Sequence, residues 1–286
     1  MKAAPVWQRK DTLWLAVWIG GLTVLGLWDV AFLNRPALLR LASASWNTAI
    51  IGCAVVVCAF VFGWSSALAL HALDHAGRRW GYFVVTFFLN LIRSVPQVVG
   101  ILLGYVVLTL LIREEMVGSQ TTQLMAIALV ISIFVFLEVT DLILERIRYF
   151  RKLDFFDAML VSGVRESRII NLDILLRNSR AHLVHKAIQL FGSSVFLLCS
   201  VDFIVSVGLS TDVSLANFPP TLGGLLATMD SKQDILAIST VLTDPLSAPR
   251  LLLEHLQGIS TAFTIVFTLL CVFRMSSAFV ARRRLE

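Results

Sequence analysis

Apolar residues gather in long unbroken runs, near residues 12–33, 46–70, 96–112, 122–144, 181–207 and 259–280, with short polar connections between them. A bilayer core takes about 20 helical residues to cross, and runs of this length lack the two-residue alternation of a barrel strand. Lipid offers the backbone no hydrogen-bond partner, so the pattern predicts an all-α integral membrane fold with about six transmembrane helices. The third run is irregular. Apolar character begins at Trp80 and passes Leu111, but Asn90, Arg93 and Pro96 interrupt it. This predicts an interfacial or tilted lead-in helix over 80–94 and a span that starts near Pro96. The stretch Ser210–Gly258 holds Pro219, Pro220, Gly223, Gly224 and Pro245, which predicts short re-entrant or surface helices. No internal repeat or low-complexity segment is visible. We read residues 1–286 as one membrane domain: an anchor over 1–45, then a core over 46–280 with a large loop at 145–180 and a second at 208–258.

Composition sharpens this. With 57% hydrophobic and 15% charged residues and a mean hydropathy of +0.82, the chain is too apolar for one soluble core. The formal charge of +5 sits in short connections, a pattern of membrane orientation and not of nucleic-acid binding. Sixteen Lys and Arg fall in the N-terminus, the 71–79 and 145–180 loops and the C-terminal tail, against five on the other side: Arg35, Arg40, Arg113, Lys232 and Arg250. The positive-inside rule therefore predicts both termini in the cytoplasm. Lys2, Arg9 and Lys10 precede a run too long for a signal-peptide core, which predicts a retained start-transfer anchor. Cys53, Cys58, Cys199 and Cys271 lie inside apolar runs and read as small hydrophobes.

The loop RYFRKLDFFDAMLVSGVRESRIINLDILLRNSR, Arg148–Arg180, is the informative connection. Two short amphipathic segments, Leu153–Ser162 and Val164–Leu172, flank Gly163, where positive φ would let two helices meet sharply. Such a knob suits a groove on a cytoplasmic partner, with rim charges Arg165, Glu166 and Arg168 setting register; a solvated interfacial loop is the plainer reading.

At these residues the chain resembles the EAA loop of ATP-binding-cassette (ABC) importer permeases. The matching positions are Asp157, Ala158 and Met159, then Gly163, then Ile174 and Leu175. RESRII and FGSSVFLL look most like the dipeptide, oligopeptide and nickel permeases, as do GYFVVTFFLNLIRSVPQVVGILL and PPTLGGLLA, so the likeness covers roughly residues 70–280. LNLIRSVPQVV is also similar to phosphonate-type permeases. The sequence departs from the family at Asp157 for Glu, Met159 for Ala, Leu176 for Pro and Leu222 for Trp, and lacks the Gly-Arg-Asp signature before the second helix. The resemblance implies a type I importer permease fold in the bacterial cytoplasmic (inner) membrane. It also implies a second permease subunit, two cytoplasmic ABC ATPase subunits and a periplasmic or extracellular substrate-binding protein, with uptake of peptides or a related small solute. Asp157, Ala158, Gly163, Val164, Arg165, Glu166, Ile174 and Leu175 would then couple to the ATPases. No G-x-x-x-x-G-K-[ST] run occurs, so ATP and Mg²⁺ are expected in the partner ATPases, with no cofactor and no enzymatic activity in this chain.

Polar groups inside apolar runs are functional candidates because burying them is unfavourable. Asp29, Asn90, Arg93 and Asp202 are candidates for a translocation path, and two acids along it would favour a cationic solute. Glu138 and Asp141 are expected to pair with Arg146 or Arg148 as anchors. His71 with His75, and His182 with His185, share helix faces, but two ligands are too few for a metal site. Lys186 is expected to snorkel beside the second pair. The competing class is a secondary transporter or channel in which membrane-embedded acids carry ions without an ATPase.

Overall fold

The computed structural model describes residues 10–206, 218–227, 239, 242–247 and 256–283, and is helical throughout, with no strand among them. α1 (Lys10–Phe32) and α2 (Arg35–His75) are separated by two residues, and Pro36 sits where a helix tolerates it, in the first turn. α2 has 41 residues, ~61 Å at 1.5 Å per residue, twice a bilayer core. The division at 45/46 thus falls inside one continuous helix, and Arg35 and Arg40, read from sequence as loop charges, begin it. Ser45 and Asn47 do not break it, because Asn47 and Thr48 turn inward and are buried.

α3 (Arg79–Ser94) and α4 (Gln97–Arg113) meet at 94°. Pro96 forces the preceding Val95 into an extended conformation (φ −85°, ψ 124°), which ends α3. The lead-in helix expected over 80–94 is therefore present. α5 (Gln120–Val135) and α6 (Leu137–Phe150) bend by 47° around Phe136. Gln97 Nε2 donates to the Phe134 carbonyl at 3.3 Å and Thr140 Oγ1 to the Phe136 carbonyl at 3.2 Å, side-chain bonds that loosen the helical ladder at the bend.

α7 (Asp154–Val161), the short α8 (Glu166–Arg168) and a π-helical segment Ile169–Asn178 connect α6 to α9 (Arg180–Ser206). α10 (Leu222–Ala227), a 3-10 turn at Pro245–Ser247 and α11 (Leu256–Arg283) follow. Among the described residues four helices, α1, α2, α9 and α11, are long and apolar enough to cross a membrane, and the two bent pairs raise the total to as many as six. α2 is the hub, packed on α5, α6 and α9, while α1 joins the bundle chiefly through α11. The largest core runs along these helices from Ile51 and Tyr105 to Ile169, Ile174 and Leu175 beneath the α6–α9 connection. Most of the 208–258 stretch, Lys232 and Arg250 with it, lies outside the described residues, as do Lys2 and Arg9.

Candidate functional site: the α6–α9 knob and a buried carboxylate node

The knob is set by one turn. The Gly163 amide donates to the Leu160 carbonyl at 2.9 Å and the Val164 amide to the Met159 carbonyl at 3.1 Å. This paired closure of a helix C-terminus requires a left-handed residue, and Gly163 supplies it with φ +80°. Val164 and Met159 accompany it by packing on the core. The turn leaves an apolar tip on the surface, with Val161 89% exposed.

The eight coupling candidates divide by depth. Asp157, Ala158, Gly163 and Arg165 are exposed, Val164 and Glu166 are half-buried, and Ile174 and Leu175 are fully buried. The last two therefore brace the knob from beneath, together with Phe156, Ile169 and Ile170. Sequence reasoning missed what ties it down. Glu166 receives both histidines of α2, His71 Nε2 at 3.1 Å and His75 Nε2 at 3.5 Å. Trp64 Nε1, two turns before His71 on α2, donates to Asn171 Oδ1 at 2.9 Å. The four-residue spacing of His71 and His75 announced a shared face; its partner, 91 or more residues away, left no local signal.

The expected anchors pair differently. Both oxygens of Asp141 accept from the single nitrogen Arg93 Nη2 (2.7 and 2.8 Å), and Glu138 accepts from Lys186 Nζ at 2.7 Å. Arg146 instead meets His182 Nδ1 at 2.8 Å, and His185 Nδ1 meets Ser276 Oγ at 2.8 Å. The expectation that Glu138 and Asp141 use Arg146 or Arg148 is thus corrected, and Lys186, expected to snorkel beside His182 and His185, pairs with Glu138. The reason is tertiary: the long side chains of Arg93 on α3 and Lys186 on α9 reach across to the carboxylates of α6. Arg93 and the exposed Asn90 line a cleft between α3 and α6.

Asp202 and Asp29 are buried in separate places. Asp202 Oδ1 accepts from Tyr105 Oη at 2.9 Å and Oδ2 from Thr221 Oγ1 at 2.5 Å. The same segment is held by Asn47 Nδ2 on the Pro220 carbonyl (2.8 Å) and by the Leu222 amide on Thr48 Oγ1 (3.0 Å). A side chain at Gly223 would put its Cβ 2.6 Å from Cys199 Cα, so only glycine lets α10 sit this close to α9. Tyr105, Thr48 and Thr221 were invisible from sequence because each lies on a different segment. Asp29 Oδ1 accepts from Ser260 Oγ at 2.5 Å, joining α1 to α11. The void beside it is ≈10 Å³, at the limit for one water. Among the described residues the two acids share no partner, and each joins two segments of this chain.

No family model matches the sequence, and no curated protein matches it.

Proposed function

We propose that this chain is the permease subunit of an ATP-binding-cassette transporter in the bacterial cytoplasmic membrane, both termini inside, importing peptides or a related small solute. The observation that carries the reading is the knob: an exposed apolar tip on a closed Gly163 turn, carried between α6 and α9 and tied to α2 by Glu166. A knob of this kind converts a push on its tip into rigid-body motion, since α7 and the π-helical segment rest on packed core and cannot yield separately. The resemblance to the EAA loop supports one of two ATPase subunits as the pushing partner, with ATP and Mg²⁺ held there. A second permease subunit completes the path, and an external binding protein delivers the solute.

The test is affinity purification in mild detergent of wild type and Gly163→Arg, with mass spectrometry of retained subunits and an ATPase assay. Nothing lies within 4 Å of a Cβ built at Gly163, so the variant alters the tip and its turn without invading the core. Wild type is expected to retain ATPase subunits and the variant to lose them. A stable wild-type protein that never retains one overturns the proposal and moves a secondary carrier to first place.

A further inference from the structure

α3 carries a surface that the knob does not use. It stands at 94° to α4, buries none of its residues in the chain, and exposes Trp80, Phe83, Phe87, Phe88 and Leu91. If α4 spans a bilayer, α3 lies along its surface, with an aromatic row at the depth where headgroups meet acyl chains. Its adjoining edge, through Tyr82, Thr86 and Asn90, closes a cleft of ≈520 Å³ against α6, at the end of the bundle that bears the knob. A second cleft of ≈600 Å³ shares Tyr82 and Thr86 and continues toward Arg79 and the end of α2.

The charges of the first cleft select its occupant. Arg93 is committed to Asp141. Arg148 and Lys152 line the same wall, are exposed, and make no ion pair among the described residues; of the two acids that line the cleft, Asp141 is taken by Arg93 and Glu145 faces them. The Thr86 hydroxyl is buried with no hydrogen-bond partner among the described residues. Two exposed cations against one remaining acid, with a spare hydroxyl beside an outward aromatic shelf, leave the cleft net positive and fit a molecule with an anionic, oxygen-rich head and apolar tails.

We propose that the α3–α6 cleft binds an anionic phospholipid, its phosphodiester held by Arg148 and Lys152 and its acyl chains lying along Trp80, Phe83 and Phe87. Basic residues on a membrane surface attract anionic lipid by about fivefold in affinity each. A bound lipid would hold α3 against α6 and fix the angle at Pro96. The inference rests on the membrane-spanning reading alone and stands whether or not an ATPase docks on the knob.

The experiment is native mass spectrometry of the delipidated full chain in uncharged detergent, titrated with phosphatidylglycerol, phosphatidylcholine or soluble glycerol phosphate. Phosphatidylglycerol is expected to bind saturably, about 25-fold more weakly to R148Q/K152Q and undiminished to R148K/K152R. Both side chains are exposed, and unchanged melting of the lipid-free variants checks that they fold. Equal retention of phosphatidylglycerol by R148Q/K152Q, or of phosphatidylcholine by wild type, overturns the proposal. So does competition by glycerol phosphate at equal concentration, which would mark a site for free phosphate and not for lipid.

Discussion

Replacing Asp202 separates a structural fastening from a dispensable polar residue. In Asp202→Ala, the Tyr105 and Thr221 hydroxyls lose their shared acceptor in a region where Asp202 is 2% and Tyr105 1% exposed. A buried hydrogen bond to a charged group contributes about 1.5–3 kcal/mol. Thr221 Oγ1 still accepts from the Gly224 amide at 3.0 Å, so its loss is partial, and the two together come to about 3–5 kcal/mol. Asp202→Asn keeps the volume and one carbonyl acceptor for Tyr105, and Thr221 can rotate to accept from the new amide. That variant should lose about 1 kcal/mol. The assay is thermal unfolding in detergent, where a few kcal/mol in a chain of this size corresponds to roughly 10 °C. A local readout accompanies it: in a background with Cys53, Cys58 and Cys271 changed to Ala, Cys199 under Gly223 should label faster with a maleimide in Asp202→Ala. Asp202→Ala within about 1 kcal/mol of wild type, or Asp202→Asn as unstable as Asp202→Ala, would refute the reasoning.

Further outcomes follow from other sites. Glu115 closes the end of α4 with φ 56°, its amide bonded to the Ile112 carbonyl at 3.1 Å, so Glu115→Gly should stabilise by about 1 kcal/mol, read as a rise in melting temperature. Gly163→Ala meets no steric obstacle but must hold positive φ; it should destabilise by about 1 kcal/mol and speed proteolysis between 161 and 166. Arg93 and Asp141 are more than half exposed, so a double-mutant cycle should give a coupling below about 1 kcal/mol, with the charge-swapped pair recovering it. Glu166→Ala should raise the hydrogen exchange of the knob more than that of α9, because it removes the contact to His71 and His75; equal change in both would show that the link is not local.

The amino-acid sequence by itself determined the helical class, the approximate place of the spans, the break at Pro96 and the turn at Gly163. Each is written in consecutive residues: run length against bilayer thickness, a proline that forbids helix before it, a glycine free to take positive φ. The sequence could not supply partners for its polar groups. Glu166 finds His71 and His75, Asp141 finds Arg93, Glu138 finds Lys186, and Asp202 finds Tyr105 and Thr221, mostly across 48 to 97 residues of chain. Local spacing suggested Arg146 or Arg148 for Asp141 and Glu138, and tertiary packing overruled it. Within an apolar bundle each carboxylate pairs with whichever cation or hydroxyl the helix crossings bring within reach, and those crossings depend on how whole helices pack, a property no single segment carries.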